Sequence, residues 1–437
     1  MSTTTSARKP SIIPQAVPQA GGGQAQAEPG ALPRLARRLL LDRLSRLQDG
    51  QITILEQDGT RHVFGRATAR SQLATTITVT DPRFFAEAAF AGTVGAGEGY
   101  IRGYWRCDDL TALIRIMVLN RAVLDDVENG FVARIADTAR RVLHWLNRNS
   151  KAGSARNIAA HYDLGNDLYQ LMLDDTMAYS CGIFETPQST LEQASLAKFD
   201  AACRKLALTP ADHLVEIGTG WGGLAIHAAE RYGCRVTTTT ISREQHDFAR
   251  EKIAARGLSD RITLLFEDYR DLKGQFDKAV SIEMIEAVGA QYLDTYFAKC
   301  SSLLKSTGAM LLQAITIQDQ YYERALKSVD YIQRFVFPGC FIPSVTAMTD
   351  SLRRVTDLKV FNLEDIGPHY APTLAAWRER YFANLPQVRR LGYPESFDRL
   401  WEFYLCYCEG GFAERQLGDV QLLLTKPDCR RASIVAA

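Results

Sequence analysis

The 437-residue chain predicts an α/β protein: a mostly parallel, Rossmann-like sheet of seven strands, preceded by a smaller α/β domain. Three observations carry this expectation. From about residue 155 onward, β-branched runs alternate with helical patterns, as a parallel sheet covered by helices on both faces requires. The first of those runs, HLVEI, leads straight into the glycine-rich turn GTGWGG and then into a helical pattern. The length also exceeds what one ordinary core serves, which favours two domains.

In chain order, residues 1–30 are rich in Ser, Thr, Gln, Ala, Gly and Pro. They bury too little apolar surface to offset the entropy of ordering and are expected as a disordered tail. The small domain is expected over 31–130. It opens with a helix in which Leu35, Leu39, Leu40, Leu44 and Leu47 recur at helical spacing beside Arg34, Arg37, Arg38, Arg43 and Arg46. Such a helix either lies on an anionic membrane or packs in its own domain with a solvated Arg face. Alternating β-branched segments predict strands at 51–56, 60–66 and 74–80, and helical patterns run through 84–118. A basic linker helix over 131–154 carries Arg134, Arg140, Arg141, Arg148 and Lys151; it suits phospholipid head groups and equally suits a charged interdomain helix. The large domain, 155–437, has candidate strands at 213–217, 235–240, 262–266, 277–282 and 309–316. An insertion over 317–357 separates these from two closing strands near 358–363 and 419–425.

Composition narrows the function classes. Hydrophobic residues make up 46% and charged residues 23%, and a net charge of +1 gives no pull toward nucleic acid. The nine cysteines fit no zinc spacing, so no metal is expected. No secretory segment and no apolar run long enough to span a bilayer is visible. A cytoplasmic protein that visits the inner membrane surface is therefore the expectation if the substrate is lipid.

The glycine turn lets a ligand approach the backbone closely. Gly218, Gly220 and Gly223 satisfy the dinucleotide pattern, whereas Gly218, Gly220 and Gly222 satisfy the methyltransferase pattern. Glu216, near the end of the preceding strand, can attract the cationic methionine portion of S-adenosylmethionine. The second strand ends TTTTIS, without the acid that holds a nicotinamide ribose; Glu244 in the next turn is the only substitute. Asp268, in FEDYRDL after the third strand, can accept a hydrogen bond from an adenine amino group, with Tyr269 beside it. Together these residues favour S-adenosylmethionine over NAD.

The run HYDLGNDLYQLMLDDTMAYSCGIF (161–184) resembles the segment before the nucleotide domain of cyclopropane-fatty-acid synthases and mycolic acid methyltransferases. EIGTGWGG, TTTISREQ, EDYRDL, FDKAVSIEMIEAVG, YFAKCSSLL and DYIQRFVFPG follow in that family's order, over roughly 155 to 425. The resemblance implies the class I S-adenosylmethionine-dependent methyltransferase fold, an unsaturated phospholipid as substrate, and a homodimer. It also implies a reaction in which the pi electrons of a cis double bond attack the sulfonium methyl. The cation then loses a proton to a bound bicarbonate and closes a cyclopropane ring. Tyr179, Ser180, Gly218, Gly220, Thr240 and Gln245 match positions that touch the cofactor. Cys181, Glu286, Ile315 (through its backbone) and Tyr370 match the bicarbonate pocket.

One departure stands out. Many members have histidine where this chain has Gln313, which forms hydrogen bonds but does not titrate near neutrality. It either orients bicarbonate or marks a different fate for the cation, a hydride shift that leaves a methylene branch. The insertion adds Tyr321, Tyr322, Tyr331, Phe335, Val336, Phe337, Phe341 and Ile342, suited to an acyl-chain slot or to packing helices together. Methylation of a small molecule, and lipid or nucleotide binding without catalysis, are the competing functions.

Overall fold

The computed structural model describes residues 31–121 and 164–434; the tail expected at 1–30 and the basic helix expected at 131–154 lie outside them. The N-terminal unit consists of α1 (Ala31–Leu44), β1 (Gly50–Leu55), β2 (Arg61–Arg66), β3 (Ala74–Val79), α2 (Arg83–Ile101), β4 (Trp105–Cys107) and α3 (Leu110–Leu119). Its sheet has the order β2-β1-β3-β4, with β1 antiparallel to β2 and parallel to β3. Helix α1 turns Leu40 and Leu44 inward, and Arg37 Nε donates to Glu56 Oε1 at 3.0 Å. Its leucine stripe is thus largely spent inside the protein, with Leu35 left exposed.

The second unit begins with α4 (Asn166–Met172) and α5 (Leu191–Leu206) and then enters the large sheet. Here β5 (His213–Ile217), α6 (Gly223–Tyr232), β6 (Arg235–Thr240), α7 (Arg243–Ala255), β7 (Ile262–Phe266), β8 (Phe276–Ile282), α8 (Leu293–Ser302) and β9 (Leu304–Ile317) alternate. The insertion folds as α9 (Asp319–Ala325), α10 (Tyr331–Phe335) and α11 (Val345–Val355). The chain closes with β10 (Lys359–Asp365), α12 (Tyr370–Ala383), α13 (Leu385–Arg390), α14 (Glu395–Ala413) and β11 (Leu417–Thr425). The order across this seven-stranded sheet is β10-β11-β9-β8-β5-β6-β7. The pairings among β5 to β9 are parallel, and β11 runs antiparallel between β9 and β10.

Side chains alternate across the sheet as a strand's period of two demands. On β9, Ala309 and Leu311 pack on the face that carries α5 and α6, while Met310 and Leu312 pack on the face of α8 and α11. A third core joins the two units: Ile52, Phe84, Trp105 and Ile116 cluster with Trp377, Trp401 and Phe403. Burying side chains of this kind contributes roughly 1.5–3 kcal/mol each. Two glycines permit the close crossing. A Cβ on Gly97 would stand 2.3 Å from the Tyr331 ring, and one on Gly410 would stand 2.7 Å from Ile114.

Candidate active site

At the end of β5 the chain must turn sharply into α6. Gly218, Gly220 and Gly222 make that turn with φ of 99°, 52° and 90°, a region that side chains strain to occupy. Gly223 opens the helix, and a Cβ there would lie 2.8 Å from the Thr176 carbonyl oxygen. Over the carboxyl ends of β5, β6, β8 and β9 lies a cavity of about 430 Å³. This is where ligands of parallel sheets bind.

One end of the cavity is polar. It is lined by Tyr179, Ser180, Glu216, Gly218, Gly220, Thr240, Gln245, Asp268 and Tyr269. Gly222 stands apart from these: it caps α6 without lining the cavity. Burial pushes the Glu216 carboxyl up to about 8, opposed by the Thr238 hydroxyl, which donates to it at 2.5 Å, and by the charge of Lys198. The Thr240 hydroxyl donates to Gln245 Oε1 at 2.9 Å, so these two residues position one another. Asp268 is held by its own neighbour, with Arg270 Nε at 2.8 Å from Oδ1 and Nη2 at 2.6 Å from Oδ2. The Tyr179 hydroxyl lies 2.8 Å from that of Tyr404.

The other polar feature is a buried acid cluster, and here the arrangement differs from the expectation. Three donors assigned to bicarbonate end on a carboxylate of the chain itself. Glu283 Oε1 accepts from the Cys181 backbone N–H at 2.8 Å and from Gln313 Nε2 at 2.8 Å, and Oε2 accepts from the Tyr370 hydroxyl at 2.6 Å. Gln313 Nε2 also donates to Asp419 Oδ2 at 3.0 Å, and Gln313 Oε1 accepts from Gln421 at 3.0 Å. Gln313 is fully buried and does not line the cavity. Nor does Cys181, whose thiol burial holds well above its ordinary range, too poorly ionised to act as a nucleophile. Glu286 and Ile315 do meet as the resemblance implies, but with each other: the Ile315 N–H donates to Glu286 Oε1 at 2.6 Å. Glu286 Oε2 has no hydrogen-bond partner among the described residues. Burial, then the Glu283 charge, pushes the Glu286 carboxyl up to about 8. The same two causes, in the same order, hold Asp419 well above the carboxylate range.

Sequence reasoning missed Glu283, Asp419 and Lys198. Lys198 is fully buried on α5, where its Nζ donates to Ser180 Oγ at 2.6 Å. The signal was available: Lys198 falls on the helix face of Leu191, Ala194, Ser195 and Ala202, a charge in an apolar row. The far end of the cavity is apolar and includes Ile317, Ile332, Phe337, Phe341 and Ile342 of β9 and the insertion, Leu374 and Phe412, and Ile114 and Val118 of the N-terminal unit. Of the eight aromatic and apolar insertion residues expected there, Tyr321, Tyr322, Tyr331, Phe335 and Val336 lie outside the lining; Tyr322, Tyr331, Phe335 and Val336 pack against the cores instead, and the Tyr321 ring lies against the Arg121 guanidinium.

Likeness to known proteins bears on this site. Residues 149–422 match the mycolic acid cyclopropane synthetase family. The chain is 37% identical over 350 residues to the cyclopropane-fatty-acyl-phospholipid synthase of Escherichia coli (strain K12), covering 79% of this chain and 86% of that one. It is 36% identical over 353 residues to the tuberculostearic acid methyltransferase of Mycobacterium tuberculosis, covering 77% and 79%. A solved mycolic acid cyclopropane synthase complexed with SAH and CTAB aligns with a TM-score of 0.57 at 30% identity, covering 62% of this chain and 98% of that one.

Proposed function

Because the chain belongs to the mycolic acid cyclopropane synthetase family and is an S-adenosylmethionine-dependent methyltransferase of the class I fold, we propose that it methylates the cis double bond of an unsaturated phospholipid acyl chain. The observation that carries this reading is the continuity of the cavity: the glycine turn and Glu216 at one end, apolar walls at the other. A sulfonium with its methionine and adenosine portions suits the first end, and a hydrocarbon chain suits the second. Tyr179, Ser180, Glu216, Gly218, Gly220, Thr240, Gln245, Asp268 and Tyr269 form the cofactor's side, and Gly222 supports the turn.

An alkene is a weak nucleophile, so alignment against the methyl group and exclusion of water supply much of the rate. The pi pair forms a carbon–carbon bond to the methyl carbon while the carbon–sulfur bond breaks. The cation left behind then loses a proton, and which C–H breaks decides between a cyclopropane ring and a methylene branch. Ring closure is the primary reading. The branch is the second reading, supported by the 36% identity to a tuberculostearic acid methyltransferase. A bicarbonate ion does not fit the donors expected for it, because those of Cys181, Gln313 and Tyr370 are already engaged by Glu283; no step is routed through it.

The substrate lies in a bilayer, yet no helix among the described residues is long and apolar enough to cross one. Contact at the membrane surface is therefore part of the proposal. Assembly as a homodimer is the remaining part, checked by light scattering. The deciding assay supplies S-adenosylmethionine labelled in its methyl group to purified protein and vesicles of unsaturated phospholipid. Label in the acyl chains, with ring or branch identified by mass spectrometry, supports the reading. Transfer only to soluble amines or other small acceptors overturns it.

A further inference from the structure

We propose that Glu283 itself accepts the proton released in the reaction, so that this chain carries its base as a side chain rather than borrowing an anion from solution. The proposal rests on the acyl-chain reading above. Its first support is geometric. A carboxylate and a bicarbonate ion present the same planar pair of oxygens, and Glu283 holds that pair at the focus of a backbone N–H, an amide and a phenol. It accepts all three bonds and lines the cavity, whereas Cys181 and Gln313 stand behind it.

The second support is the backbone. Glu283 has φ of 47°, in the left-handed region that non-glycine residues rarely occupy. The conformation is held in place: the Glu283 N–H donates to the Gln313 carbonyl at 2.9 Å, directly after β8 ends. The next residue, Met284, lies against the cofactor turn, its Cγ 3.2 Å from where a Gly218 Cβ would be. Strain of this kind aims the side chain across the carboxyl end of the sheet, beside the glycine turn.

The third support is the charge distribution. Of the three acids in the cluster, Glu286 and Asp419 are both displaced upward by burial and then by the negative charge of Glu283. Asp419 approaches from β11, Glu286 from the turn after β8, the Tyr370 hydroxyl from α12, Cys181 from the loop before α5, and the Lys198 ammonium from α5 itself. Glu283 and Glu286 both line the cavity, and Glu283 is the one with a backbone N–H, an amide and a phenol donating to it. Gln313 acts as a positioning residue, with Asp419 on the other side of its amide.

In the step, a C–H bond of the transferred methyl breaks, its electron pair closes the third ring bond, and the proton passes to a Glu283 oxygen. In the branched outcome the same proton leaves after a hydride shift, and its pair forms the methylene double bond. S-adenosylhomocysteine leaves with the carbon–sulfur pair, and no oxidant or further reactant is needed.

The test uses the full chain, unsaturated phospholipid vesicles and methyl-labelled S-adenosylmethionine, in buffer stripped of carbon dioxide and in the same buffer with bicarbonate added. Wild-type turnover is expected to be the same in both. Glu283→Gln should lower turnover on the order of 100-fold or more while cofactor affinity, read by calorimetry, stays unchanged. Glu283→Gly tolerates the left-handed φ and opens the space; bicarbonate or formate should then restore turnover by about tenfold, saturably. A wild-type rate that collapses without bicarbonate and returns with it overturns the proposal, as does wild-type turnover by Glu283→Gln. Should the variants fail to fold, the bicarbonate response of the wild type decides alone. Absence of transfer by the wild type in either buffer sinks the acyl-chain reading, and this proposal with it, and is distinguishable from loss confined to the variants.

Discussion

The two polar walls of the cavity are built on opposite plans. The glycine-turn wall comes from short stretches at the ends of β5, β6 and β7, and it offers a ligand backbone and a carboxyl held by one short bond to Thr238. The acid wall gathers residues 181, 283, 286, 313, 370 and 419, spread over more than half the chain, and binds their polar groups to each other. In the first wall Glu216, Gln245 and Asp268 are each held by a neighbouring side chain beside the glycine turn. The second has the donors of Cys181, Gln313, Ile315 and Tyr370 already engaged by its own carboxylates, while Glu286 Oε2 and Asp419 Oδ1 have no hydrogen-bond partner among the described residues.

The comparison can be broken most severely at the turn. Gly218→Val forces a β-branched residue to φ of 99° and against Met284, and should weaken S-adenosylmethionine binding by about 10- to 100-fold in calorimetry. A variant that binds normally would mean the turn is not the recognition element. At the acid wall, Tyr370→Phe removes the hydroxyl that donates to Glu283 Oε2. It should cut kcat by about 10- to 100-fold and leave cofactor affinity alone, since a hydrogen bond to a charged group is lost. Equal losses in kcat and in affinity would merge the two walls into one.

Acidity separates them more finely. The Glu216 carboxyl stands at about 8 in the ligand-free protein, and a sulfonium favours its ionised form. Cofactor affinity should therefore rise with pH and level off near about 8, and Glu216→Gln should flatten that profile. The same displacement bears on folding. With ordinary values near 4.5, Glu216 and Glu286 bind their protons more tightly in the folded chain, so their contribution to stability is full below about 4.5 and is lost as pH rises through about 8. A melting temperature that climbs over that interval in the ligand-free protein would contradict both displacements. The smallest effect is expected for Gln313→His. Because residue 313 stands behind Glu283 and outside the lining, turnover should fall several-fold while the ratio of ring to branched product stays fixed in mass spectra. A changed ratio would bring that residue into contact with the fate of the cation.

Much of the fold was legible because parallel strands read as compact β-branched and apolar runs, largely buried in β5 and β6 and half-exposed in the edge strand β7: all three lie where HLVEI, RVTTTT and ITLLF predict them. The three-residue β4 was not, since Trp105–Cys107 is too short to show a period, and β9 begins at Leu304, several residues before its apolar run. The cofactor wall was legible for a related reason, being made of motifs contiguous in sequence. Glu283 was hidden in plain view: SIEMIEAVG contains two glutamates three residues apart, and only the left-handed turn at the first decides which one meets Cys181, Gln313 and Tyr370. Asp419 arrives on an antiparallel strand after a long helical excursion, a pairing no local pattern announces. Likewise Tyr331 and Phe337 look alike in sequence, yet the Tyr331 hydroxyl is tied to the Leu400 carbonyl in the packed core while Phe337 faces the cavity.

Ile114 and Val118 have a last consequence. They belong to α3, yet they close part of the apolar chamber above a sheet to which α3 contributes no strand. A vessel with one wall on loan is watertight only while the lender stays seated. Loosening the crossing of α3 over Gly410 would flood the chamber while every rung of the larger sheet stayed intact, so that leakiness, and not unravelling, would be the first sign of damage at that seam.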